Sequence, residues 1–299
     1  MIDLERAMKS ERLMKALTGQ SVTEFQELAP RLAEGLSKAG AKQKRQRAAG
    51  GGRKHTLKSV EYKLFFILFY LKCYPTYDLA GILFGVAGSQ AYRWVQALLP
   101  VLEQVLGWQG VLPQRQLKSV TEFMAAVPGA RDIWVDGTER PIQRPQQAKA
   151  QQQCYSGKQG GHTFKNLILS TESRQIVFLS YTKPGGRHDY HRFKQAGLGG
   201  VIPPEVALWA DLGFVGLQND FPQLDVLLPH KGSKLHPLTP AQKADNRLIS
   251  ACRIRVEHAL AGVKRFRALT DTYRNKGRCL ADTFILLACG LWNFHLRYA

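Results

Sequence analysis

Two aspartates stand where carboxylates can act on one substrate together. Asp132 to Asp136 (DIWVD) and Val206 to Asp211 (VALWAD) each read as a short apolar strand closing on an aspartate, with Gly137 and Gly213 just beyond. If the strands lie side by side and parallel, Asp136 and Asp211 emerge at one edge. There they repel one another and raise each other's pKa unless a divalent cation neutralises them. Carboxylate oxygens with open water positions suit Mg²⁺. Taken singly, each aspartate-glycine step also reads as an ordinary turn, so the weight falls on their joint placement.

A third acid comes from the tail. Around Arg253-Ile254-Arg255-Val256-Glu257-His258 the apolar residues Ile249, Cys252, Val256, Leu260 and Val263 recur at intervals of three and four, which predicts a helix face packed on the sheet. Arg253, Glu257 and Lys264 share the neighbouring face. Glu257 is then a lone acid among cations; the competing reading is an i, i+4 ion pair with Arg253, worth about 0.3–0.5 kcal/mol. Three acids from a first strand, a fourth strand and a following helix make a two-metal site for in-line phosphoryl transfer.

The elements that must position these acids form an α/β arrangement with a mixed sheet. After DIWVD come a hairpin (His162 to Ser170, then Arg174 to Tyr181), a helix at Tyr190 to Ala196, the VALWAD strand, a short strand at Leu224 to Leu228, and helices over Ala241 to Leu269 and Leu280 to Leu296. That is the order of an RNase H-like domain, with its first and fourth strands adjacent and parallel.

Ahead of it, Leu57 to Leu106 is helical: a long apolar helix, a break at Pro75, a short helix from Tyr77, a turn at Val86-Ala87-Gly88 and a third helix from Ser89. This is helix-turn-helix punctuation, with Leu79, Ala80, Leu83 and Val86 as the elbow and Ser89 as the cap. Gln90, Tyr92, Arg93 and Gln96 then face a DNA groove. A plain three-helix bundle has the same apolar spacing. Residues 1 to 36 read as two short helices, with Ser21 and Glu24 forming a capping box.

Composition bounds the partners. Of 299 residues, 42 are Lys or Arg and 23 Asp or Glu, a net charge of +19 that points to a polyanion or an anionic membrane surface. The longest apolar runs, Leu64 to Leu71 and Phe284 to Trp292, fall well short of the roughly 20 residues of a membrane span. The N-terminus lacks an apolar signal core. Five scattered cysteines without C-x-x-C fit neither a disulfide scaffold nor a zinc site, and a reducing compartment suits them. Positive charge gathers in Lys38 to Lys58, which reads as a flexible linker or a DNA-backbone arm, and again in Pro141 to Gly200 and Ala251 to Arg278.

Four blocks in order, Asp136-Gly137-Thr138-Glu139, GGRHDYHRF (Gly185 to Phe193), ADLGF (Ala210 to Phe214) and NRLISACRIRVEHALAGVKRFRAL (Asn246 to Leu269), resemble the signature of DDE transposases, nearest the PIF/Harbinger-like insertion-sequence type. The resemblance runs from about Leu57 to the C-terminus. It implies an N-terminal appendage and linker (1–54), a helix-turn-helix DNA-binding domain (55–112) and an RNase H-like catalytic domain (131–299). By position, Asp136, Asp211 and Glu257 match the catalytic triad that holds two divalent cations, Mg²⁺ or Mn²⁺, with Asp136 bridging. Arg253 and Lys264 match basic positions near the DNA ends. Asp189 stands in a block between the first two acids, where it reads as a helix cap. Where many relatives have a tyrosine three residues before the arginine, this chain has Ser250. The implied activity is cleavage at terminal inverted repeats by water, then joining of the freed 3′-hydroxyl to target DNA. It would be carried out by a homo-oligomer on paired ends in a bacterial cytoplasm, associated with the nucleoid and with no membrane. A DNA-binding regulator derived from such an enzyme, or a structure-selective nuclease on the same fold, are the competing readings.

Overall fold

The computed structural model describes residues 2–42, 56–233, 235–275 and 278–298. Most of the basic stretch expected as a linker, residues 43–55, lies outside them. Contacts divide the chain into two compact units, one from residues 1–112, 264–271 and 283–299, the other from 113–263 and 272–282. The tail assigned by sequence to the catalytic domain thus contributes to both.

The first unit is helical. It begins with α1 (Leu4–Met8), α2 (Glu11–Thr18) and α3 (Val22–Lys42), the first two separated at Ser10, whose hydroxyl caps α2. The capping box forms: Glu24 N–H donates to Ser21 Oγ at 3.1 Å and Ser21 N–H to Glu24 Oε2 at 3.2 Å. Next come α4 (Val60–Cys73), α5 (Tyr77–Phe84) and α6 (Gly88–Trp108). Every residue from Leu64 to Leu71 is buried, because a helix apolar all round can only sit at the centre of a bundle. Helices α2, α3 and α6 pack on it, and Phe65, Phe66 and Phe69 meet Phe84 ring to ring.

The turn between α5 and α6 is tighter than its apolar residues foretold. Gly85 caps α5 at φ 71°, and Val86 N–H returns to Gly81 O at 2.8 Å. A Cβ on Gly81 would meet Val86 O at 2.5 Å, and one on Gly88 would meet Asp78 Oδ1 at 2.1 Å. The expected cap and elbow need correction. Ala87, not Ser89, precedes the first turn of α6, and of the elbow residues Ala80 is buried while Leu79 is 47% exposed. Glycines and the Asp78 carboxylate at the α6 N-terminus close this turn, where the sequence pointed to side-chain packing.

The second unit holds α7 (Val120–Ala126), β1 (Asp132–Pro141), α8 (Ala148–Cys154), β2 (Tyr155–Ser156), β3 (Gly161–Thr171), β4 (Ile176–Leu179) and β5 (Lys183–Pro184). They are followed by α9 (Asp189–Gln195), β6 (Ala207–Trp209), α10 (Leu217–Asp220), β7 (Val226–Leu227) and α11 (Pro240–Lys264). Sheet order is β2-β3-β1-β6-β7, with β4 and β5 also on β3. β1 runs antiparallel to β3 and parallel to β6, and β6 parallel to β7. Read from β4 through β3, β1 and β6 to β7, this is the RNase H-like sheet. One face buries Ile133, Val135, Leu208, Phe193 and Phe214 in a common core.

The chain closes with α12 (Arg267–Thr270) and α13 (Arg278–His295). The single helix expected over Ala241 to Leu269 is broken at Arg265 and Phe266. Phe266 leaves helical geometry (φ −87°, ψ 115°) and is fully buried, its ring 2.9 Å from where a Cβ on Gly19 would stand. Among the described residues no helix is long and apolar enough to cross a membrane.

If α4 is the centre of the helical unit, Leu68→Ala should cost about 2–5 kcal/mol of unfolding free energy in urea. A loss below about 1 kcal/mol would contradict its placement.

Candidate active site

β1 does not end at Asp136. It pairs with β6 only over Asp132 to Trp134, but with β3 from Ile133 to Pro141, so the strand continues on one partner after losing the other. Asp136 thus sits just past the last β1–β6 pair, and Asp211 two residues beyond the end of β6. The turn reading of Asp136-Gly137 is excluded, as is a strand terminus there; the notch comes from the shortness of β6. Asp136 Oδ1 accepts from Gly137 N–H at 2.7 Å, and Asp211 Oδ1 from Gly213 N–H at 2.8 Å. Both carboxylates are half-buried. Burial, and then the charge of Asp211, push the Asp136 carboxyl up to about 6.

Strand alternation separates what surrounds them. Trp134 and Asp136 point to one face of β1, Val135, Gly137 and Glu139 to the other. On the Asp136 face lies α11: the Arg255 guanidinium is 5.5 Å from the Trp134 ring centre, and Arg253 draws the Asp136 pKa back down. On the opposite face lies Asp189, buried at 8% exposure, its Oδ1 2.1 Å from where a Cβ on Gly137 would stand. Asp189 is the first residue of α9 and not its cap; His188 holds the cap position without a side-chain bond. The capping role expected for Asp189 is therefore replaced by another.

That role is an ion network behind the strand. Lys165, opposite Glu139 in the β1–β3 register, reaches Glu139 Oε1 and Asp189 Oδ1, each at 3.0 Å, and donates to Arg187 O at 3.0 Å. Thr163 Oγ1 donates to Glu139 Oε2 at 2.7 Å. Burial works to raise the Glu139 pKa, but hydrogen bonds from Ser156, Thr163 and Lys165 together with the lysine charge hold it below the usual range. Sequence reading passed over Lys165 and Glu139. The available signal was Lys165, the one Lys or Arg in the otherwise largely apolar β3 pattern; that it faces Glu139 needed the strand register.

Glu257 is exposed on α11, one turn beyond Arg253, while Val256, Leu260 and Val263 are buried as the periodicity required. Among the described residues no three His, Cys, Asp or Glu side chains gather as a metal-holding group. The charge of Asp211 acts on Asp136, and Glu257 does not complete a group of three with them. The pair itself, oxygen-only and electrostatically strained, fits a hard divalent cation. In the helical unit, Tyr92, Arg93 and Gln96 are exposed on α6, and Gln90 is half-buried. Ala91, Val95, Leu98 and Leu99 form that helix's buried side. Lys264 ends α11 and belongs to the helical unit.

Residues 135–293 match the family model of the DDE superfamily endonucleases. The chain belongs to that superfamily. Residues 55–107 of this DDE endonuclease match the helix-turn-helix model of the same superfamily. It is 29% identical over 238 residues, 79% of this chain and 81% of the other, to a probable transposase for insertion sequence element IS702 from Microchaete diplosiphon. A chain from the crystal structure of a pre-cleavage Mos1 transpososome aligns over 88% of this chain and 83% of its own, at 8% identity and a TM-score of 0.26.

The raised Asp136 pKa has a definite sign in stability. Its folded value near 6 exceeds the unfolded value of about 3.9, so its contribution is favourable below about pH 4 and is lost as pH rises through 6. Without divalent cations, Asp136→Asn should be more stable than the parent at pH 8 by about 1–3 kcal/mol. The difference should vanish near pH 4. Denaturant melts across pH test this, and a pH-independent difference would contradict it.

Proposed function

We propose that this DDE endonuclease is a transposase of the PIF/Harbinger-like insertion-sequence type, cutting DNA at terminal inverted repeats and joining the freed end to a target. The observation that carries the reading is the Asp136–Asp211 pair: two carboxylates held together at the notch beside β6, with one proton made hard to lose. Asp136, between β3 and the end of the β6 pairing, would hold the divalent cations together with Asp211. Glu257, exposed on α11, would be the third carboxylate to hold them. Mg²⁺ or Mn²⁺ held there would supply activation of the attacking water or 3′-hydroxyl and charge stabilisation of the leaving oxygen.

The chain's own residues do the rest. Arg253 offers charge beside Asp136 to a scissile phosphate, and Lys264 extends the basic track toward the DNA end. In the 55–112 DNA-binding domain, α6 lies in the major groove with Gln90, Tyr92, Arg93 and Gln96 toward the bases. The catalytic domain expected over 131–299 is carried by the part of that range in the second unit, 131–263 and 272–282. Two or more copies hold the paired ends, on DNA in a bacterial cytoplasm. The IS702 relative supports the assignment through its name, and the +19 net charge supports a polyanionic partner.

With Mg²⁺ or Mn²⁺ the full-length protein should cut duplex DNA carrying the matching repeats. Asp136→Ala and Glu257→Gln should each reduce cutting at least about 100-fold, in line with loss of a group acting in the transition state, while leaving binding within about twofold. Arg93→Ala should weaken binding by about 1–3 kcal/mol if it reads a base. Unchanged cutting by Glu257→Gln would remove that residue from the site.

A further inference from the structure

The GGRHDYHRF block contributes Asp189 to the back of the active site, yet most of its residues face elsewhere. Gly186, Arg187, His191 and Arg192 line an open cavity of about 620 Å³ between α8, β5 and α9, with Lys149, Gln152 and Gln195 also in its wall. No carboxylate lines it. Arg192 is the telling member. It is buried at 8% exposure, donates only to Gln195 Oε1 at 2.8 Å and to Pro184 O, and leaves its buried Nε without a hydrogen-bond partner. Among the described residues no carboxylate makes an ion pair with Arg192, Arg187 or Lys149. The Asp189 charge acts on Arg192 more weakly than burial and Arg187 do. A buried cation with neutral partners and two further cations beside it is an uncompensated positive site that needs an anion.

The cavity is also built. Gly185 N–H donates to Thr163 O at 2.8 Å, and Gly186 N–H to Gln153 O at 2.9 Å. A Cβ on Gly185 would stand 1.8 Å from Thr163 Oγ1, and one on Gly186 2.6 Å from Gln153 O. The loop is therefore pressed onto β3 and the end of α8, and Lys165 clamps it again through Arg187 O and Asp189. Arg187 is two residues from the aspartate that abuts Gly137, so one short segment contributes both to the cavity wall and to the back of β1. A second cavity of about 370 Å³ shares Arg192 and Gln195 and adds Lys118 and Lys183, which continues the basic track on the far side of α9.

We propose that the α8–β5–α9 cavity seats a backbone phosphate of the DNA that the protein cuts, with Arg192 at its base and Arg187 and Lys149 at its mouth. This rests on the DNA-cutting reading above. The same chemistry would accept a free phosphate, so the experiment has two arms. Lys149 and Arg187 are exposed, and Lys149→Gln and Arg187→Gln avoid the folding risk of changing Arg192.

In the first arm, binding of full-length protein to repeat-bearing duplex DNA is measured without divalent cations from low to moderate salt. Each variant should flatten the slope of log affinity against log salt by about 0.9, one phosphate contact, and weaken binding about 8-fold at 0.1 M salt. A neutral methylphosphonate at one position of that duplex should weaken the parent and leave the variants unaffected. In the second arm inorganic phosphate is titrated into the parent. Unchanged slopes in both variants, while the parent binds and cuts, would overturn the cavity assignment alone. Tight phosphate binding with unchanged DNA slopes would make it a small-anion site. A parent that neither binds nor cuts repeat-bearing DNA would overturn the reading on which it rests.

Discussion

Asp136 and Asp211 carry like charges and stand together at one edge of a sheet, and the proton on Asp136 is held to about pH 6 by burial first and by the charge of Asp211 second. Nothing in either side chain favours the arrangement. It is imposed by a parallel pairing of β1 with β6 only three residues long, continued on one side by the longer antiparallel pairing of β1 with β3. Backbone amides of Gly137 and Gly213 orient the two carboxylates. A strained pair of this kind is poised for whatever brings positive charge to it, which is the logic of the proposed reaction.

The strain is supported from behind. On the reverse of β1, Lys165 balances both Glu139 and Asp189, so two carboxylates near the site are paired with a buried lysine, and the charge of Asp189 adds less to the Asp136 pKa than burial and Asp211 do. Gly137 is required because Asp189 lies against it, and Gly185 and Gly186 because their loop lies against β3 and α8. One rigid segment thus connects the back of the carboxylate pair to a cavity lined by unpaired cations. In the proposed complex, charge would be complementary on both sides: cations meet the two acids, and phosphates meet the arginines.

Much of this was legible in the residues. DIWVD and VALWAD announced two core strands, the element order announced the sheet, and the apolar spacing of Val256, Leu260 and Val263 announced the buried side of α11. What escaped detection was set by tertiary packing. That β1 runs on past Asp136 depends on β3, which no local pattern in DIWVD reveals. Asp189 looked like a helix cap because a polar residue after a glycine turn usually is one, and only its approach to Gly137 and Lys165 shows otherwise. The break at Phe266 comes from a ring burying against Gly19, some 250 positions earlier in the chain. The pairing of Lys165 with Glu139 needed the strand register.

The account turns on Asp136 and Asp211 being held close enough to share their electrostatics. A ¹³C carboxyl titration of Asp136 in the full-length protein tests this most directly, read in the parent, in Asp211→Asn and with added Mg²⁺. The parent midpoint should lie near 6, should fall when Asp211 loses its charge, and should fall again when Mg²⁺ is present. A midpoint near the ordinary aspartate value of about 4 in all three would contradict it.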